Sequence, residues 1–216
     1  ETDYARRVPL LVQMADVCQA ELGDDESAIA ILSGVLEVEP HHRGALDVLA
    51  ALYTRKSDWS NVRSVWERQF EAAESDEVRI EIMMKIAGLL DEKLEQPADA
   101  AAYYLEILNV EPLHGPALES LEKLYERLAA HEHMYSLFEH RVRHTEGEDE
   151  RVALYLEMGE LARLHIADPA VRIAALGCAR GLRPDDLGIV EPLLDAYIAG
   201  NQLALAAPIL QDIIAT

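Results

Sequence analysis

Apolar residues in this chain recur at intervals of three and four, the spacing of amphipathic helices, and nowhere settle into the alternation of a strand. Four such stripes follow one another early on: Leu10, Met14, Val17 and Cys18; Ala28, Ile31, Leu32 and Val35; Ala45, Leu46, Leu49, Leu52 and Tyr53; Val62, Val65, Trp66 and Phe70. The breaks agree with the stripes. Gly23-Asp24 separates the first two with Asp24 as an N-cap, Pro40 stops the second helix, and Asp58 caps the fourth. Connections this short force consecutive helices to lie antiparallel.

The pattern then starts again. Glu37-Val38-Glu39-Pro40 returns as Asn109-Val110-Glu111-Pro112 and, weakened, as Gly181-Leu182-Arg183-Pro184, each time after 72 residues. Leu22, Leu94 and Ile166 keep that step without a gap, as do Tyr53, Tyr125 and Tyr197, Leu49, Leu121 and Leu193, and Arg7, Arg79 and Arg151. Three copies account for the 216 residues: 1–72, 73–144 and a degenerate 145–216, in which Asp168-Pro169 supplies a cap followed by proline at the first helical position. The expectation is an all-α chain of about twelve helices in six antiparallel hairpins, forming one domain. Helices packed about 8–10 Å apart need small residues at their crossings, and Ala30, Ala102 and Ala174 are expected to fill that role.

Leu49, Ala50, Tyr53, Val62 and Trp66 resemble the tetratricopeptide (TPR) pattern, which the second copy repeats with Leu121, Tyr125, Met134 and Phe138. The first hairpin of each copy is similar with one extra residue: Met14, Ala15 and Cys18 before Ala28 and Pro40, then Ile86, Ala87 and Leu90 before Ala100 and Pro112. The third copy departs from the pattern, with Pro192 and Pro208 inside expected helices. The resemblance implies a right-handed helical-repeat solenoid whose first helices line a concave groove while the second helices cover the outside. It further implies groove positions at Asp16, Gln19, Asp47, Thr54 and Arg55 in the first copy. The second copy contributes Met84, Asp91, Glu92, Glu119, Lys123, Glu126 and Arg127, and the third Glu160, Arg163, Glu191 and Asp195. The Lys, Asn and Arg clamp with which some TPR domains grip a chaperone's C-terminal carboxylate is not supplied at the matching positions.

Charge narrows the partners. Forty acidic against 19 basic side chains give a formal charge of -21, which repels phosphate and disfavours nucleic acid and anionic membranes; no apolar run is long enough for membrane insertion. The acidic groove points to a protein or peptide partner with a basic segment. Arg outnumbers Lys 15 to 4, the composition of a high-GC, bacterial-style genome.

Chemistry-bearing motifs are scarce. His131, His133, His140 and His144 cluster, but only His140 and His144 have a spacing that lets two imidazoles share a metal, and two ligands make a weak site. His42 recurs as His114, a repeat-forming turn position. Cys18 and Cys178, among apolar neighbours, are expected to be buried structural thiols of a reducing compartment, hence a cytoplasmic location. Nucleophile elbows, Gly-rich phosphate loops and paired cysteines are absent from the sequence. No cofactor and no catalysis are expected.

The functional expectation is a scaffold or adaptor for protein–protein interaction. The alternative is a regulatory or sensor arm of a larger protein whose catalytic part lies outside this sequence, with an α-helical enzyme ranked below both. The chain starts at Glu1 without a targeting segment and reads as a fragment of a longer protein. Its last helix, with Pro208 and only Asp212 charged, is too apolar for an uncovered end. Ile209, Ile213 and Ile214 or their neighbours are therefore expected to be covered by further repeats or by self-association.

Overall fold

The computed structural model describes the backbone of residues 4–215 and the side chains of residues 7–211. Among these residues there are twelve α-helices and no strand. They are α1 (Tyr4–Ala20), α2 (Asp25–Val38), α3 (Arg43–Arg55), α4 (Trp59–Glu71), α5 (Asp76–Glu92) and α6 (Pro97–Val110). The second half holds α7 (Gly115–Arg127), α8 (His131–His144), α9 (Glu148–His165), α10 (Pro169–Leu182), α11 (Leu187–Ala199) and α12 (Leu203–Ala215). Helix starts keep the sequence period: Tyr4, Asp76 and Glu148 lie 72 residues apart, as do Trp59, His131 and Leu203. The chain forms two compact units, 1–110 and 111–216, each containing three hairpins.

Local chemistry explains where the helices begin and end. Asp24 accepts from the Ser27 amide at 3.0 Å, Asp58 from Asn61 at 3.3 Å and Asp168 from Ala170 at 2.9 Å, satisfying first-turn amides. His42 and His114 do the same with an imidazole: each Nδ1 accepts from the amide three residues on, Ala45 at 3.1 Å and Ala117 at 3.2 Å. The α2, α6 and α10 helices stop two residues before Pro40, Pro112 and Pro184. The turn inside the second hairpin of each copy places Ser57, Ala129 and Asn201 at φ of 56°, 50° and 54°. The following amide then closes back on the carbonyl of Tyr53, Tyr125 or Tyr197 at 2.8–2.9 Å. Those three tyrosines thus hold the same place at a helix end as well as in the sequence.

Packing within each unit follows chain order, each helix lying against its sequence neighbours. In the first unit Ala28, Leu32 and Val35 of α2 meet Val8 and Ala15 of α1 and Leu46, Leu49 and Leu52 of α3 in one core. The second unit has its own core, in which Leu176 of α10 packs with Val190 and Leu193 of α11 and Ile209 of α12. Tyr135, Phe138 and Val142 of α8 join Leu154 and Met158 of α9 in a further cluster. Burial there pushes the Tyr135 phenol up to about 12.

The structure corrects four expectations. The buried face of α1 is Val8 and Ala15 with Leu11, Val12 and Cys18 beside them, whereas Leu10, Met14 and Val17 are exposed. The helix is rolled so that the small Ala15, not Met14, enters the crossing with α2. Ala30, Ala102 and Ala174 are exposed; among the small residues sealed inside, Ala15, Ala87 and Gly159 keep the 72-residue step. A Cβ on Gly159 would stand 2.8 Å from Leu176 Cδ2, which shows how closely α9 and α10 approach. Cys178 is exposed, at the edge of the buried face that Ala175, Leu176 and Ala179 make on α10. Ile209 is covered by its own chain, while the side chains of Asp212, Ile213 and Ile214 lie outside the described residues.

Two stability measurements check this account. In urea unfolding, Ala87→Leu should destabilise by about 1–3 kcal/mol through overpacking, whereas Ala102→Leu should stay within about 0.5 kcal/mol of the parent. Ala129→Gly should stabilise by roughly 0.5–1 kcal/mol, because glycine relieves the left-handed turn. Equal effects of the two alanine changes, or a destabilised Ala129→Gly, would contradict the packing and turn geometry described.

Candidate interaction surface

The groove residues expected from the sequence all lie on odd-numbered helices: Asp16 and Gln19 on α1, Asp47, Thr54 and Arg55 on α3, Met84, Asp91 and Glu92 on α5. In the second unit Glu119, Lys123, Glu126 and Arg127 lie on α7, Glu160 and Arg163 on α9, and Glu191 and Asp195 on α11. Most are exposed; Gln19, Met84 and Asp91 are half-buried.

Several are committed to partners within the fold. Arg55 forms an ion pair with Asp25 at the start of α2, with Nε 3.1 Å from Oδ2, and Lys56 beside it pairs with Glu26. Both cations therefore clamp the first turn of α2, where carboxylates already sit at the positive helix end. Thr54 Oγ1 donates to the Ala50 carbonyl at 2.7 Å. Lys123 donates to Glu119 at 2.6 Å and Arg163 to Glu160 at 2.5 Å, one turn apart along their own helices. These bonds hold the Glu119 and Glu160 carboxyls below the usual carboxylate range. Asp91 and Arg127 are likewise engaged within the fold. Glu126, Glu191 and Asp195 keep exposed carboxylates.

A cleft of about 550 Å³ lies in the first unit, between α3 and α5 with the α4–α5 connection as its end wall. Each helix contributes one face: Arg43, Leu46 and Asp47 from α3, and Val78, Glu81, Ile82 and Lys85 from α5, the i, i+3, i+4, i+7 pattern. Leu46 and Ile82, both buried, form the base of the floor and Val78 its exposed apolar side chain, and His41, Gln69, Ala72, Ala73, Glu74 and Ser75 complete the lining. Gln69 of α4 donates to Asp47 Oδ1 at 2.8 Å and fixes that carboxylate at the wall. The cleft thus alternates carboxylates (Asp47, Glu74, Glu81) with cations (Arg43, Lys85) above apolar surface.

Of the residues expected from sequence, Asp47 alone lines this cleft; Glu81, Lys85 and Arg43 were missed. The signal for them was the spacing of Val78, Glu81, Ile82 and Lys85, which marks one face of a helix. Nothing in the sequence says that α3 presents its own face opposite.

The histidines have structural surroundings. His140 Nε2 lies 3.0 Å from the Pro112 carbonyl, and His144 Nδ1 2.8 Å from the His140 carbonyl. The His131 ring stacks on His165 at 3.8 Å, and His133 sits 5.4 Å from the Tyr125 ring. Among the described residues no group of three or more His, Cys, Asp or Glu side chains is arranged to hold a metal ion. No described helix is long and apolar enough to cross a membrane.

No family model matches the chain, and no curated protein matches it. Solved structures do. Naa15/Naa10 bound to HypK-THB gives a TM-score of 0.54 at 15% identity, over 93% of this chain and 30% of that one. A tetratricopeptide repeat protein from Parabacteroides merdae follows at 0.46 and 18%, covering 97% of this chain and 80% of that one. The signature residues fall where the pattern requires, with Leu49 and Val62 sealed between α3 and α4, and Leu121 and Tyr125 buried on α7. The chain has a tetratricopeptide-type fold. In this TPR fold Trp66 and Phe138 occupy the pattern's final aromatic position, both half-buried on the fourth helix of their copies.

The Glu119–Lys123 bond gives a pH test. A carboxyl held low in the folded state adds stability above its ordinary range, and that contribution disappears as pH falls through the folded value. In Lys123→Gln the Glu119 carboxyl should titrate at higher pH than in the parent, with Glu160 unchanged, as read by carbon NMR at low salt. An unmoved Glu119 midpoint would show that Lys123 does not hold it.

Proposed function

We propose that this TPR-type protein is a non-catalytic scaffold and that the α3–α5 cleft holds an extended segment of another protein. The observation that carries the reading is the cleft itself. Its volume lies within the about 300–1,000 Å³ typical of ligand clefts, and it joins an apolar floor to polar groups of both signs. Extended peptides are recognised in this way, with apolar side chains docking on the floor and charged ones choosing register at the rim. Three carboxylates against two cations, on a chain of formal charge -21, favour a segment carrying Lys or Arg. Fold alone does not specify a partner, so the reading stands on this site.

The test is a fluorescence-anisotropy screen with labelled nine-residue peptides in which one Lys or Arg is flanked by apolar residues. A hit should weaken as sodium chloride rises from about 50 to 300 mM and lose at least about tenfold in affinity on Asp47→Lys with Glu81→Lys. Binding that ignores both variants but falls with Glu126→Gln would move the site to α7. Binding insensitive to salt and to all three changes would sink the proposal of charge-guided recognition.

A further inference from the structure

A second cleft, of about 240 Å³, lies in the first unit between two even-numbered helices, α2 and α4, and shares no residue with the α3–α5 cleft. Leu36 of α2, Leu49 of α3 and Val65 of α4, all buried in the core of the unit, form its base. Above them Tyr53 of α3 is half-buried. The Ser33 hydroxyl and Glu37 carboxylate on one wall face the Ser64 hydroxyl on the other. All three helices are internal to the chain, each with a helix before and after it, so the opening does not arise at a chain end.

The second unit shows what belongs beside this tyrosine. Tyr125 stands one period after Tyr53, and His133 one period after Asn61. The His133 ring lies 5.4 Å from the Tyr125 ring at an interplanar angle of 38°, within the range of aromatic pairs, and Tyr125 is only 6% exposed. Asn61 does not take that place in the first unit, because its Nδ2 donates to Asp58 Oδ2 at 2.7 Å and the side chain is held back at the cap of α4. The position of Asp58 is Ala130 in the second copy, which has no such hold on His133. Arg68, at the mouth of the cleft, stands where His140 places its Nε2 3.0 Å from the Pro112 carbonyl. Two imidazoles thus occupy, in one unit, the positions at which the cleft opens in the other. On its other side α4 leaves no comparable gap: Arg63 donates to Glu67 at 2.8 Å and to Gln96 at 3.3 Å, with Tyr103 beside them.

We infer that the α2–α4 cleft takes one aromatic side chain bearing a ring N–H, an imidazole or an indole, from a partner protein. The ring lies against Tyr53 as His133 lies against Tyr125, and its N–H is donated to the Glu37 carboxylate, a charged acceptor that makes the stronger kind of hydrogen bond. The volume falls below the about 300–1,000 Å³ of clefts that hold whole small molecules and suits a single side chain. A hydrocarbon ring fits less well, because the hydroxyls and the carboxylate would lose water and gain no hydrogen bond. Aromatic anchors seated in small pockets are where the energy of a protein interface concentrates. This contact uses helices other than α5 and stands whether or not the α3–α5 cleft binds a segment.

Titration of the nitrogen-15-labelled chain with N-acetyl-tryptophanamide, N-acetyl-histidinamide and N-acetyl-phenylalaninamide tests it through the amide shifts. At least one of the first two should shift the amides of 33–37 and 61–68 saturably, with a Kd on the order of 1–10 mM for a lone side chain. The phenylalanine probe should bind at least about fivefold more weakly, and Glu37→Gln, an exposed change that leaves the core untouched, should weaken the better probe by about threefold or more. Asn61→His with Arg68→His rebuilds the arrangement of the second unit, keeps the Asp58 cap on the backbone amide of residue 61 and should abolish binding, circular dichroism confirming the fold. Asp47→Lys, in the other cleft, should leave binding unchanged. Equal binding of the phenylalanine probe, indifference to Glu37→Gln and to the double histidine variant, or no saturable shift up to about 50 mM would each overturn the inference.

Discussion

Everything in this structure depends on how closely two helices of a hairpin can approach. A single amphipathic hairpin cannot bury enough apolar surface to be stable, so each must be pressed against the next, and the press works only where the crossing carries almost no side chain. Ala15, Ala87 and Gly159 supply that crossing once per period, and the 2.8 Å separation from Leu176 that a Cβ on Gly159 would have measures how little space remains. The roll of each first helix follows. With the small residue turned inward, the residues one position before it and four positions further back are turned toward the preceding helix. On α5 and α9 they find one.

The turns set the second constraint. A hairpin whose helices must lie close cannot spend many residues reversing direction, and the solution in the second hairpin of each copy is a residue in the left-handed region. Ser57 and Ala129 each cost roughly 1–2 kcal/mol in backbone strain, and Asn201, of a type that enters this region readily, costs less; the hydrogen bond that closes the helix end offsets it. The first hairpin of copies one and two uses Gly23 and Glu95 in the same conformation, whereas Ala167 at the matching position of the third copy has no positive φ.

Electrostatics shapes the surface more than the core. No charged or polar residue is fully buried among those described, so the acidic excess stands in water and is partly answered by short-range pairs such as Arg163 with Glu160. These exposed pairs contribute little to stability individually. Their consequence is selective: they remove some carboxylates from the surface open to a partner and leave others, so the acidity counted in the sequence overstates the acidity that a ligand would meet.

The sequence by itself determined the helices, the aspartate caps, their order and the 72-residue period, because each rests on interactions between residues at most a few positions apart: Asp24 with Ser27, Asp58 with Asn61, Pro40 beyond Val38. It also located most buried stripes, since three-four spacing is a local property. It could not determine which way α1 rolls, because Leu10 and Val8 are equally apolar and the choice is made by Ala15 against α2. Nor could it show that Arg55 is held by Asp25, thirty residues away in sequence, or that Glu81 and Lys85 face Arg43 and Asp47 across a cleft. Those facts require two helices to be placed in space, and only the tertiary structure places them.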